Sequence, residues 1–250
     1  MTTSKAVTKQ GDARQDLIAQ TEHEDGPSYI LRPPRYKLVS TAQAFQQTLT
    51  EEVVKEVPGI IIAARIVRAF WGEREIASDA SQAPVCTSTD GRFGACQDTD
   101  KWVEIAEAKG VLDNTAPFEQ MPCLTCPFNQ WDSGKGGRGK ACKEMRRLLI
   151  MPDDSQIPAI MSIPPTSVLN WDNYNSGLQS RVPKEAYFSV HTIIAAEKTT
   201  NPEGIVYSKV VFRTDGPLPE VNLRQVLAIR KQYESLVGQQ IEAEEYQAEG

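Results

Sequence analysis

"GIIIAARIVRAFWGE", residues 59–73, is the stretch on which the fold turns. Its Ile, Val and Phe content, and the Pro58-Gly59 pair that opens it, predict a long and largely buried strand. Downstream, "RRLLIM" (146–151) and "IPAIMSIP" (157–164) are short apolar runs divided by the turn-forming "PDDSQ" (152–156), as two strands in tight succession would be. "TSVLNWDNYNSGLQSR" (166–181) opens on a Thr/Ser cap, spaces Leu169, Trp171, Tyr174 and Leu178 as a helix does, and stops before Pro183. "AYFSVHTIIAAEKTT" and "GIVYSKVVFRT" are two further strands split by the hairpin signal "NPEG" (201–204), and a last helix is expected from about 220 to 237. Upstream, Phe45, Leu49, Val53 and Val54 recur at helical spacing and predict a helix over 41–56.

Between the first and second strands lies a stretch of another kind, roughly 78–145, dominated by Gly, Pro, Asp and Cys, with one amphipathic piece at "DKWVEIAEAKGV" (100–111). So long an irregular stretch inside a compact domain calls for something besides an aliphatic core to hold it. With it set aside, the order is three strands, a helix and two strands. The fold class is therefore read as mostly β with flanking helices: an OB-like five-stranded barrel with an inserted Cys-rich zinc-binding excursion. The chain divides into a polar tail (1–30), the OB-like domain (31–238, insertion at about 78–145) and an acidic tail (239–250).

Composition narrows the class. With 40% hydrophobic and 24% charged residues and a mean hydropathy of -0.40, the chain reads as water-soluble, and no apolar run nears the ~20 residues of a membrane span. The polar N-terminus lacks the apolar core of a secretory signal, which points to the cytoplasm. Net charge is -6, yet it is unevenly spread: "EAEEYQAEG" ends the chain with Glu242, Glu244, Glu245 and Glu249, whereas 135–147 carries six bases against one Glu.

All five Cys fall within residues 86–142. In a reducing compartment an odd, clustered set reads as metal ligands rather than a disulfide framework. Cys123 and Cys126 form a C-x-x-C knuckle, Cys142 lies at a usual distance for the far half of a zinc site, and the fourth ligand is Cys86 or Cys96. Cys86 is favoured because the polar Asp-Gly turn after it sets it at a loop apex. The G-x-x-x-x-G-K match from Gly134 to Lys140 lacks a preceding strand, and Ala141 stands where a phosphate-binding loop carries Ser or Thr. Its basic residues read instead as one presented surface for a polyanion: Lys135, Arg138, Lys140, Lys143, Arg146 and Arg147, with Trp131, Phe128 and Trp71 as rings on which bases stack. No catalytic constellation stands out, so no enzyme is expected; His191 sits mid-strand in apolar company.

The strand order, the excursion "CPFNQWDSGKGGRGKACK" and the Glu-rich end together resemble the single-stranded DNA-binding, helix-destabilising replication proteins of bacteriophages, including the zinc-containing type. The resemblance implies sequence-independent coating of single-stranded DNA in replication or recombination within a bacterial host. It also implies a Zn²⁺ ion on Cys123, Cys126 and Cys142, and replication or recombination partners met through Glu242, Glu244, Glu245 and Glu249. The competing expectation is a zinc-ribbon adaptor that docks on host transcription or replication machinery.

Overall fold

The computed structural model describes residues 33–72, 83–108, 110, 120–201 and 204–239. It is mostly β: an 11-stranded mixed sheet with a few helices. Both tails and parts of the Cys-rich stretch, with Glu242, Glu244, Glu245 and Glu249, lie outside the described residues.

The stretch that opens the sequence reading is the spine of the sheet. Strand β4 (Glu56–Phe70) pairs antiparallel with β8 (Lys143–Pro152) from Gly59↔Pro152 to Ala69↔Lys143, with a register irregularity between Ile61 and Ala63. Such a bulge bends and twists a long strand. At Gly59 an added Cβ would sit 2.3 Å from the Met151 carbonyl oxygen, so only glycine lets β4 and β8 approach there. The first half of β4 also pairs with β10 (Val190–Thr200), which forms a long hairpin with β11 (Val206–Pro217). The last residues of β4 pair with β5 (Cys86–Ser88), which leads through β6 (Phe93–Cys96) to β7 (Met121–Pro122).

On its far edge β8 pairs with β9 (Ala159–Ile163), and β9 runs parallel to β1 (Arg35–Val39). There the expected helix over 41–56 gives way to strands: β2 (Ala44–Gln47) and β3 (Val53–Val54) form a hairpin after β1. The apolar spacing misleads because Leu49 and Val53 are exposed, and Gln43 and Glu51 adopt positive φ, which interrupts a helix. The Gln47 side-chain oxygen accepts from the N–H groups of Leu49 and Thr50 and closes the turn.

The main core lies where these strands meet helix α2 (Val168–Gln179), and it gathers Phe45, Ile61, Leu148, Ile150, Trp171 and Ile194. The Ser167 hydroxyl accepts from the Val210 N–H at 2.9 Å and the Asn170 amide donates to the Val210 carbonyl at 2.9 Å, tying α2 to the edge of β11. On another face, the segment after helix α3 (Glu220–Tyr233) packs Leu236 and Val237 on Ile62, Ala63, Leu149 and Ile160. Among the described residues no helix is long and apolar enough to cross a membrane.

Candidate metal centre and its basic rim

The Cys module is built on the end of β4. Because Phe70 opposes Cys86, and Cys86 opposes Cys96 across β5 and β6, two thiols sit on neighbouring strands. The Cys123 N–H donates to the Arg92 carbonyl at 2.8 Å and pins the knuckle against β6. Within the knuckle the Cys126 N–H donates to the Pro122 carbonyl, and a 3₁₀ turn, Pro127–Asn129, follows at once. The Cys142 N–H then donates to the Phe128 carbonyl at 2.8 Å, bringing the last Cys back to the knuckle. Helix α1 (Thr99–Ala108), capped by the Asp98 carboxylate, lays Trp102 and Ala106 against Phe70 and Phe128; the two Phe rings stack at 4.1 Å.

These contacts leave a cavity of about 20 Å³ whose wall carries Cys86, Cys123, Cys126 and Cys142, over a floor of Phe70, Trp102 and Phe128. Gly94 completes it: an added Cβ there would lie 2.8 Å from the Cys86 sulfur and 3.8 Å from that of Cys123. All five Cys are free thiols, and among the described residues no group of three or more His, Cys, Asp or Glu is drawn together tightly enough to form a metal site outright. The donor set fits zinc in kind, four soft ligands on one small wall. Cys96 is not on that wall; its sulfur accepts from the Cys86 thiol, and its own thiol donates to the Met121 sulfur at 3.4 Å.

Electrostatics in the cavity disfavours bare thiolates. Burial pushes Cys142 up to about 12, with the neighbouring charges of Cys126 and Cys123 adding to it. The hydrogen bond with Cys96, then burial, raises Cys86, and the same bond lowers Cys96. Burial also raises Cys126 and Cys123, opposed at Cys126 by the N–H groups of Phe128 and Asn129 and at Cys123 by the Ser88 hydroxyl and the charge of Arg68. Thiolates crowded in low dielectric repel one another, and a cation among them removes that cost.

A basic rim adjoins the cavity where Lys140 donates to the side-chain oxygen of the lining residue Asn129, and only part of it is the surface expected from the sequence. Trp131 is 74% exposed, with the Lys140 ammonium 6.0 Å from its ring, and Lys135 and Arg138 are exposed on the loop that follows. That loop closes through the Gly134 N–H to the Gly139 carbonyl and uses positive φ at Gly136, Gly137 and Gly139; strand β8 follows where a phosphate-binding loop needs a helix. Lys143 turns its ammonium onto the Lys140 carbonyl.

Three expected contact residues are inside the fold. Phe128 is buried between Phe70 and Trp102. Arg146 is buried and pairs with Glu144 and with both oxygens of Asp172, while the fully buried Arg147 donates to the carbonyls of Val237 and Gln239. Arg146 and Arg147 lie on β8, which begins at Lys143 and runs mid-sheet with both faces covered, so successive residues are buried where a presented turn was expected. Trp71 is half-buried against Val67, Ala69 and Met145.

Two further residues, Arg68 and Asn129, organise the module without any expectation from the sequence. Arg68 donates to the Asn129 side-chain oxygen at 2.7 Å and to the Gly91 carbonyl, and pairs with Glu144. Asn129, buried, donates to the Cys123 carbonyl at 2.6 Å. Neither belongs to a motif; the N-Q-W that follows the knuckle is the only local signal. Comparison of the chain with family models, with curated proteins and with solved structures gave no match.

Proposed function

We propose that the protein binds single-stranded DNA largely independently of sequence, protecting it and supporting replication or recombination in the cytoplasm of a bacterial host, and that it does so without catalysing a reaction. The observation that carries this reading is the rim: an exposed Trp131 with a Lys over its ring and further bases on a closed Gly-rich loop. An aromatic face for unpaired bases beside cations for phosphates is the pattern of sequence-tolerant single-strand binding. The strand pairings support an OB-like barrel at the centre: β4 with β8 and β10, β8 with β9, β10 with β11, and α2 between β9 and β10. Among the described residues β9 also pairs with β1, which extends this set of strands by the N-terminal hairpin.

In this reading Cys86, Cys123, Cys126 and Cys142 hold a structural Zn²⁺, which neutralises their thiolates and fixes the loop that carries the rim. The Glu-rich end serves replication or recombination partners. The test is anisotropy of a labelled oligo(dT) with protein of measured zinc content. Submicromolar binding that weakens steeply with salt is expected, and no binding at about 50 mM salt overturns the reading. A second reading, a zinc-ribbon adaptor for host machinery, is favoured by one observation: Leu124, at the tip of the knuckle, is 84% exposed.

A further inference from the structure

Resting on the single-strand reading, we propose that the Cys module carries a base-stacking surface with two rings, Phe93 and Trp131, on either side of the Cys123–Cys126 turn. In this proposal Arg92 joins Lys135, Arg138 and Lys140 as its phosphate contacts. The two rings, not the bases, set the preference for unpaired strands.

Four observations converge on it. First, among the described residues the module's other rings are buried: Phe70, Trp102 and Phe128 lie in its small core, whereas Phe93 remains 51% exposed and Trp131 more so. Second, both exposed rings are tied to the same turn, one by backbone pairing and the other through a neighbouring side chain. Phe93 opposes Pro122 across β6 and β7, and the Cys123 N–H is held on the Arg92 carbonyl. On the other side the Gln130 amide donates to the carbonyls of Leu124 and Cys126, at 2.9 and 3.1 Å, which sets Trp131 directly beside the knuckle.

Third, the backbone under Phe93 is ordered by the Asp90 carboxylate. Asp90 accepts from the N–H groups of Arg92 and Phe93 and from the Ser88 hydroxyl, so its oxygens are engaged within the turn, and the exposed Arg92 beside it adds an opposite charge. Fourth, the charge around the rings matches a polyanion: Arg92, Lys135, Arg138 and Lys140 stand against Asp132 beside Trp131.

The division of labour follows from the geometry of the two ligands. A duplex shields its base faces by stacking and offers a protein mainly phosphates, which the bases of the rim can meet; an unpaired strand also offers ring faces. Removing a ring therefore weakens single-strand binding alone, and removing a cation weakens both.

The experiment measures anisotropy of labelled oligo(dT) and of a duplex of equal length with zinc-loaded full-length protein, comparing wild type with Phe93→Ala, Trp131→Ala, Trp131→Phe, Arg92→Gln and Arg138→Gln. All four positions are exposed, and zinc content with circular dichroism checks each fold. Each ring-to-Ala change is expected to weaken oligo(dT) binding about tenfold while leaving the duplex and the salt slope unchanged, with Trp131→Phe keeping most of the affinity. Each Arg→Gln change is expected to flatten the single-strand salt slope by about 0.7. Wild-type binding to oligo(dT) with no loss in the ring variants, or equal loss on both ligands, overturns the stacking surface and leaves the single-strand reading standing. If wild type binds neither ligand, that reading falls and the surface falls with it.

Discussion

The central sheet and the Cys module are consecutive along β4, yet they are held by different physics. In the sheet, Ile61, Leu148, Ile150 and Ile163 are fully buried on ladders five to ten residues long, so apolar burial and backbone pairing reinforce each other. In the module the strands have two to four residues, and the core gathers a stacked Phe pair and one Trp with Val85, Ala106, Met121 and the thiols. Its backbone is ordered by side chains instead: Arg68, Asn129, Gln130 and Ser133 each bond to loop groups. A region with so little aliphatic surface depends on a few specific contacts, and losing one is felt locally.

The largest effect that separates the two regions is expected from the proposed metal. If zinc sits on the four thiols, stripping it with a chelator, or replacing Cys142 by Ser, is expected to remove hydrogen-exchange protection across residues 84–108 and 120–142 while the β4–β8–β9 ladder keeps its own; structural zinc in small modules is worth about 10–16 kcal/mol. Equal loss in both regions would erase the distinction. Next comes the sheet: Leu148→Ala is expected to cost about 2–5 kcal/mol in urea unfolding and leave zinc stoichiometry unchanged. In the module Asn129→Ala deprives the Cys123 carbonyl and Arg68 of a buried partner and is expected to cost about 1–3 kcal/mol, read as local exchange around the knuckle.

The smallest effect concerns Asp90. Slight burial opposes it, but the N–H groups of Phe93 and Arg92 and the Ser88 hydroxyl hold its carboxyl below the ordinary 3.8. A depressed folded value means that the stabilisation is fully present above pH 3.8 and fades as pH falls through the lowered value. The difference between wild type and Asp90→Ala in the protection of β6 should be flat above pH 3.8 and shrink below it.

Legibility in the sequence followed the same divide. The β4 run, the strands after "PDDSQ", the "NPEG" hairpin and the helix around Trp171 were readable because composition and local turn chemistry agree there. The segment 41–56 was not, since four apolar residues at helical spacing also suit a hairpin once Gln43 and Glu51 take positive φ. At the candidate site the Cys pattern picked out Cys123, Cys126 and Cys142 and left Cys86 and Cys96 as alternatives for the fourth place, whereas the six bases along 135–147 looked alike. Packing split them into exposed Lys135 and Arg138 and buried Arg146 and Arg147.

By itself, then, the sequence determined most of the segments that extend or coil, with 41–56 the exception, and where soft ligands and positive charge concentrate, because these depend on residue type and near neighbours. Only the tertiary structure decided which four thiols share one wall, that the wall needs a glycine at 94, and that Phe93 lies exposed beside the knuckle while Phe128 is buried beneath it. Those outcomes depend on ladder register and on what packs against each strand face, and in a strand a shift of one residue exchanges inside for outside.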